Sequence, residues 1–386
     1  MKIIHACLIG PYTDNYGYQE NVLSKMHKLQ GYDVYILAST KTWLNGSKIG
    51  DTNQKTHFTK EGIPVTRLSY VKWFPHFIVN KLRIFKGIKD YLLDIKPDII
   101  FIHGVQFLGI MEFIEYKKKY NTIIYVDNHA DFINSAKNII SRNILHRILY
   151  KYCAKKIEPY TRKFYGTLPT RVDFLERVYD LPKHKLELLL MGIDDTLVDT
   201  SNKATIYRET RKKYNICPNE FLIVTGGKID RLKNVHSLIK IFNELNNKHL
   251  KLIIFGSLLY DVKNDIEGML LHSNNVIFVG WQSAIEIYNI FLASDLAVFP
   301  GKHSVLWEQA VGLGLPCIFK KWDGHQHVDI GGNCMFIDDS DEQSIKEALI
   351  HVTENNKMYK KMKLAASKEG KEDFSYCKIS RYAIEQ

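Results

Sequence analysis

The segment Phe221–Phe242 constrains the fold more than any other, because an apolar strand, a basic glycine-containing loop and a helix follow one another without a spacer. Phe221, Leu222, Ile223 and Val224 form a short apolar run of strand type, and Val235, Leu238, Ile239, Phe242 and Leu245 recur at helical spacing. Between them stand Gly226, Gly227, Lys228, Arg231 and Lys233, with Asn234 expected as the helix cap. Backbone N–H groups at a helix start, the positive end of its dipole and nearby cationic side chains make an anion cradle that needs no metal. The pattern predicts a nucleotide diphosphate ligand at this loop.

The same rhythm runs through the chain. Strand-like runs at Ile3–Ile9, Val34–Ala38, Ile99–His103, Thr122–Val126 and Phe164–Thr167 alternate with helical patterns in the first half. Phe221–Thr225, Leu252–Phe255, Val276–Val279, Leu296–Phe299 and Cys317–Phe319 repeat this in the second. Such alternation predicts an α/β protein with parallel sheets covered by helices on both faces. With 386 residues, two domains of roughly 180 residues each are expected. The boundaries read as residues 1–192, a polar linker at 193–205, residues 206–370, and a C-terminal helix at 371–386 packing back on the first domain. Ser283 with Glu286, and Ser340 with Gln343, have capping-box spacing. Ligands of open α/β sheets bind beyond the carboxyl ends of strands, so a cleft between two facing domains is the expected site.

Composition narrows the setting. The cysteines (Cys7, Cys153, Cys217, Cys317, Cys334, Cys377) lack paired short spacing, which argues against a zinc site or disulfide frame and for a reducing cytoplasm. No apolar run reaches the ~18 residues of a membrane span, and MKIIHACLIG enters a strand directly, unlike a signal peptide. A net charge of +11 draws polyanions without choosing among them. No nucleic-acid-binding motif accompanies that charge. GPYTDNYG after the first strand lacks the GxGxxG fingerprint of a dinucleotide oxidoreductase.

With these motifs the chain resembles the retaining glycosyltransferases of family 4, which have the GT-B fold of two Rossmann-like domains facing each other across a cleft. MKIIHACLIGPYTDNYGYQENVLSKMHKLQGYDVYILAST is similar to the opening strand, glycine loop and helix of that family, and KPDIIFIHG to its "PDVVHAH" strand. GGKIDRLKN resembles its "GRLxxxKG" signature, with Lys228 in place of the usual arginine and Lys233 at the matching lysine. VFPGKHSVLWEQAVGLGLPCIF matches the second half of its paired-glutamate motif, with Glu308 in place. Pro300 stands eight residues earlier, where the family has its first glutamate.

The resemblance implies a metal-independent enzyme without cofactor that moves a sugar from a UDP- or GDP-linked donor to a polysaccharide or lipid-linked glycan. It assigns Lys228 and Lys233 to the donor diphosphate, Glu308 to the ribose hydroxyls, Gly280 and Trp281 to the base, and His129 to the sugar. Gly17 and Gly227 permit close backbone approach, Arg231 assists the lysines, and His303 and Ser304 face the donor. His303, His325 and His327 could suggest a metal, but the cationic loop already neutralises phosphate, so no metal is expected. The basic aromatic stretches Tyr70–Tyr91 and Ala136–Phe164 suit either an anionic membrane surface or a half-buried helix. The first would place the enzyme on the inner face of the membrane. A GT-B sugar-nucleotide epimerase and a non-catalytic polyanion-binding protein are the competing readings.

Overall fold

The computed structural model describes residues 1–44, 48–71, 75–132, 135, 141–198, 201–339 and 341–385. It has two compact units, Met1–Leu190 with Ile379–Gln386, and Met191–Lys378. The segment read as a linker is held within the second unit. Ile193 exchanges backbone hydrogen bonds with Phe374 (2.7 Å) and Tyr376 (3.1 Å), and a helix begins at Lys203.

The first unit contains β1 (Lys2–Cys7), β2 (Asp33–Ser39), β3 (Lys41–Leu44), β4 (Lys48–Asp51), β5 (Thr56–Phe58), β6 (Pro64–Leu68), β7 (Ile99–His103), β8 (Ile123–Asn128), β9 (Thr161–Gly166) and β10 (Leu186–Leu188). Its sheet runs β10-β9-β8-β7-β1-β2-β6-β5, parallel except for the edge strand β5, and β3 and β4 form a separate antiparallel hairpin. Ile4, Ile100, Ile102, Ile124 and Val126 are fully buried in one core cluster with Phe113 and Phe174. This burial explains why the central strands read as continuous apolar runs. The chain returns here at its end: Tyr125 donates its hydroxyl hydrogen to the Ile384 carbonyl at 2.9 Å.

The second unit contains β11 (Phe221–Ile229), β12 (Leu250–Leu258), β13 (Val276–Gly280), β14 (Leu296–Phe299), β15 (Cys317–Lys320) and β16 (Cys334–Ile337), in the all-parallel order β13-β12-β11-β14-β15-β16. Each sheet has a strand from which connections depart in both directions, β1 between β7 and β2, and β11 between β12 and β14. Such switch points leave a crevice at the strands' carboxyl ends.

Several local expectations are corrected. Gly226, Gly227 and Lys228 are not a loop, because β11 continues through them to Ile229 in register with β12. Gly227 (φ 113°) pairs with Gly256 (φ 118°), and a Cβ on Gly256 would lie 1.9 Å from the Gly227 carbonyl oxygen, so neighbouring glycines let two strands close up. Asn234 is left-handed at φ 56° and makes no side-chain cap bond to the Val235–Leu245 helix. Asp230 acts one turn earlier, accepting from the Lys233 N–H at 3.1 Å. Ser283 caps as expected by accepting from the Glu286 N–H. Ser340 lies outside the described residues, and Asp341 caps the next helix through the Ser344 N–H at 2.8 Å.

The stretch Tyr70–Tyr91 is not one amphipathic helix. Lys72, Trp73 and Phe74 lie outside the described residues, and the helix His76–Leu82 stops at left-handed Arg83 (φ 51°). Tyr70 forms an antiparallel bridge with Phe85, and Phe85 and Ile88 are buried in the core.

Candidate functional site

In the second unit the loops that leave β11 and β14 are joined at the switch point. The Lys302 N–H donates to the Leu232 carbonyl at 2.8 Å, and a Cβ on Gly301 would meet that same carbonyl oxygen at 2.3 Å. Lys233 crosses this junction: its ammonium donates to the carbonyls of Lys302 (2.7 Å) and His303 (3.1 Å). Burial lowers its pKa to about 8, with Lys302 pulling the same way and Asp230 and Glu308 opposing. An ammonium held out of water against neutral carbonyls has little charge compensation, which favours an anionic ligand beside it.

Lys228 is exposed in β11 opposite Ser257. Arg231 turns away to the acidic loop after β12: its Nη2 donates to the Asp261 carbonyl (3.0 Å) and to the Asp265 carboxylate (2.5 Å). Of the three cations predicted here, Lys233 is the one seated at the junction with the β14 loop. Gly227 lies 3.0 Å, measured from an added Cβ, from the side chain of Leu306 at the start of the Glu308 helix. Gly280 ends β13 in the left-handed region (φ 68°) and is followed by Trp281, which is 71% exposed. An exposed indole after a strand end is a stacking surface.

Glu308, assigned to the ribose hydroxyls by the resemblance, is met by two imidazoles. It is fully buried on the Leu306–Gly312 helix, and both carboxylate oxygens accept from the His303 Nε2 (2.8 and 3.1 Å), while Oε1 also accepts from the His327 Nε2 (2.9 Å). Burial alone would raise its pKa; His303 and His327 overcome that and hold it well below the usual carboxylate range. The helix N-cap is Val305, with no side-chain bond, and Ser304 Oγ is buried without a hydrogen-bond partner. Trp307 Nε1 and His327 Nδ1 are likewise buried and unpartnered. Native interiors rarely leave such groups unsatisfied, and these three lie in the same segments as His303, Glu308 and His327.

His327 was not assigned a role by resemblance, although HSVLWE and DGHQHVD carry the histidines. Their convergence on one carboxylate depends on β15 bringing the two loops together. His303, Glu308 and His327 form a group whose ligand atoms all lie within 4.8 Å of one another, able in principle to hold a metal ion.

The first unit has its own polar cluster. His27 Nε2 lies 2.9 Å from the Ser380 carbonyl, His27 Nδ1 3.0 Å from His5 Nε2, His5 Nδ1 3.0 Å from His103 Nε2, and His103 Nδ1 2.6 Å from Asp127 Oδ2. The carbonyl can only accept, so His27 donates from Nε2; its bare Nδ1 must accept from His5, whose Nδ1 in turn must accept from His103. His103 therefore carries its Nε2 proton. Burial would lower the His103 pKa, but Asp127 raises it above the ordinary value, and Asp127, raised by burial alone, is pushed down by His103 and His129. His103 is thus an imidazolium paired with the Asp127 carboxylate.

His129, predicted to face a sugar, follows β8 with its side chain 39% exposed and Nε2 3.6 Å from Asp127 Oδ2. Gly17 lies before the Gln19–Leu29 helix, exposed and without a left-handed φ, and a Cβ there would meet nothing within 4 Å. The fold itself does not require glycine at that position. His5 and His27 escaped the sequence reading because partners separated by 98, 22 and 353 residues leave no local pattern.

Residues 207–369 match the family described as Glycosyl transferases group 1. The second unit is a glycosyl transferases group 1 domain. Lys228, Arg231, Lys233, Gly280, Trp281, His303, Ser304 and Glu308 all lie inside the matched residues, in agreement with the family 4 resemblance. Solved structures extend the likeness to the whole chain as a GT-B fold. Sucrose-phosphate synthase from Thermosynechococcus elongatus superposes with a TM-score of 0.70 at 16% identity, over 99% of this chain and 96% of that one. HepE from Anabaena, solved with UDP and glucose, gives 0.66 at 13% identity over 100% and 98%. UDP-GlcNAc 2-epimerase from Neisseria meningitidis, bound to UDP-GlcNAc, gives 0.63 at 15% identity over 100% and 99%. No curated protein matches the sequence. Pro300 stands eight residues before Glu308, and Glu308 is enclosed by two imidazoles.

Proposed function

We propose that the chain is a retaining glycosyltransferase that moves a sugar from a UDP- or GDP-linked donor to a surface polysaccharide or lipid-linked glycan. The observation that carries this reading is the group 1 match over the residues that surround the Lys233 junction. Transfer breaks the bond between the anomeric carbon and the diphosphate oxygen, leaving negative charge on the departing diphosphate. Lys233, with Lys228, stabilises that charge, and Trp281 stacks on the base. The acceptor hydroxyl attacks the anomeric carbon from the same face, and its proton passes to the departing phosphate, so no second carboxylate is required. His129, oriented by Asp127, contacts the sugar. Glu308 acts from behind, fixing His303 and the loop whose carbonyls hold Lys233.

Contact with an anionic membrane fits the second basic stretch better than Tyr70–Tyr91. Ile144, Ile148 and Tyr152 are 54%, 65% and 50% exposed at helical spacing, and Arg142, Arg147, Lys151 and Lys155 accompany them. An apolar ridge among cations is the pattern of an interfacial helix and suits a lipid-linked acceptor on the cytoplasmic face. Among the described residues no helix is long and apolar enough to cross a membrane.

The epimerase among the structural relatives favours a second reading, inversion of a sugar nucleotide without an acceptor. Incubating purified protein with a panel of UDP- and GDP-sugars, with and without lipid-linked glycan, separates the two. Release of UDP or GDP coupled to a glycan product supports transfer; a rearranged sugar nucleotide from donor alone supports epimerisation and overturns the proposal.

A further inference from the structure

The geometry points to a divalent transition-metal site formed by His303, Glu308 and His327 in the group 1 domain. These residues come from three separate segments: the loop after β14, the buried Leu306–Gly312 helix, and the turn Gln326–Val328 beyond β15. Their side chains are 10%, 0% and 6% exposed, and one nitrogen from each imidazole and one carboxylate oxygen gather within 4.8 Å. Each Nε2 lies 2.8–2.9 Å from Glu308 Oε1. Ligands about 2.1 Å from one ion at near-right angles are separated by about 3 Å, so this spacing admits a shared ion with little movement. Two imidazoles and one carboxylate select zinc and its first-row neighbours over magnesium or calcium, which prefer all-oxygen shells.

Hydrogen bonding alone leaves the cluster incomplete. Glu308 Oε1 receives both histidines, yet His327 Nδ1, Trp307 Nε1 and Ser304 Oγ remain buried without partners in the same segments. A bound ion with its own water ligands supplies the hydrogen-bonding groups that these atoms lack. On binding, each Nε2 proton that now points at Glu308 leaves to Nδ1 of its ring or to solvent. A further imidazole stands alongside: the His325 ring is 5.0 Å from that of His303, and its Nδ1 N–H donates to the Asp323 carbonyl at 3.1 Å, leaving Nε2 as a lone pair.

The proposed donor chemistry itself needs no metal. The test of the site is a calorimetric titration of the full chain, purified without a histidine tag and stripped by chelator, with zinc at pH 7.5. A parallel cobalt titration is followed by visible absorption and by quenching of tryptophan fluorescence, since the Trp307 ring lies 5.1 Å from that of His303. The expected result is one ion per chain, with affinity reduced roughly 100-fold or more in both His327→Ala and Glu308→Gln. Circular dichroism verifies that each variant is folded, and His303→Gln replaces any that is not. Failure of wild-type protein to bind one zinc or cobalt ion, or unchanged affinity in two folded variants, overturns the site while leaving the glycosyltransferase reading intact.

Discussion

Each unit buries a carboxylate among histidines, but the two clusters are organised differently. In the first unit His27, His5, His103 and Asp127 form a line that starts at a backbone carbonyl and ends at an ion pair, so the proton on each bridging nitrogen is fixed by the next acceptor. In the second, His303 and His327 converge on one oxygen of Glu308, and polar atoms around them lack partners. The ring nitrogens of the line are all paired, with Asp127 Oδ1 left unpartnered, and the line ties β1, β7, β8 and two helices together. A convergent group with unfilled valences is arranged for a ligand. Burial and residue type are nearly the same in both; connectivity decides which is scaffold and which is site.

The largest expected effect tests the scaffold half of that contrast. Asp127→Asn leaves the His103 imidazolium buried without its counter-charge, and denaturant unfolding should show a loss of about 3–5 kcal/mol. A loss near zero would mean that the line is not what ties the first unit together. Lys233→Ala tests the site half. It should lower donor turnover by at least about 100-fold, with little change in the melting curve. The Lys233 pKa of about 8 gives this residue a pH signature. As pH rises through about 8 the ammonium loses its proton, so nucleotide diphosphate affinity should fall on the alkaline side in wild type and not in the variant. Parallel alkaline profiles would remove Lys233 from the diphosphate.

Acid sharpens the comparison further. Burial lowers the pKa of His5 and of His27, the latter to about 4 from 6.5, so the folded state refuses protons that the unfolded chain accepts. Stability is therefore fully present above 6.5 and declines as pH drops toward 4, by roughly 2–3 kcal/mol for His27 alone. Urea midpoints at pH 7.5 and pH 5 measure the decline, and His27→Gln should flatten it. The smallest effect is expected at Gly17. Its Cβ position is open, so Gly17→Ala should move stability by less than about 0.5 kcal/mol. Any drop in donor turnover then reports a ligand that needs the space.

Much of the architecture was legible because buried parallel strands must be apolar throughout. Ile99–His103 and Leu296–Phe299 coincide with their predicted runs, and the other central strands differ only at their ends. The strands that escaped notice are short or on edges: Thr56–Phe58 and Leu186–Leu188 span three residues each, Pro64 opens β6, and the hairpin β3–β4 is half exposed. Such strands draw stability from a neighbour rather than from their own pattern. The site was legible where its residues share one segment, as Lys228–Lys233 and His303–Glu308 do. It was misread where geometry depends on distant partners. Gly226–Gly227 looked like a loop because glycine usually breaks strands, yet it lies opposite Gly256, which the local sequence cannot reveal. Glu308 read as a ribose contact because the local sequence does not show that His327, which lies beyond β15, closes on the same carboxylate.

The glycine rung at Gly227 and Gly256 limits how this pocket can be altered. Neither strand can present a side chain there, since both residues hold a conformation that other amino acids resist and one opposes the other's backbone at van der Waals distance or closer. Changes in ligand preference must enter one rung further on, at Lys228 and Ser257, or from the flanking loops. A library meant to retarget the enzyme should leave the glycines untouched and diversify that adjacent pair.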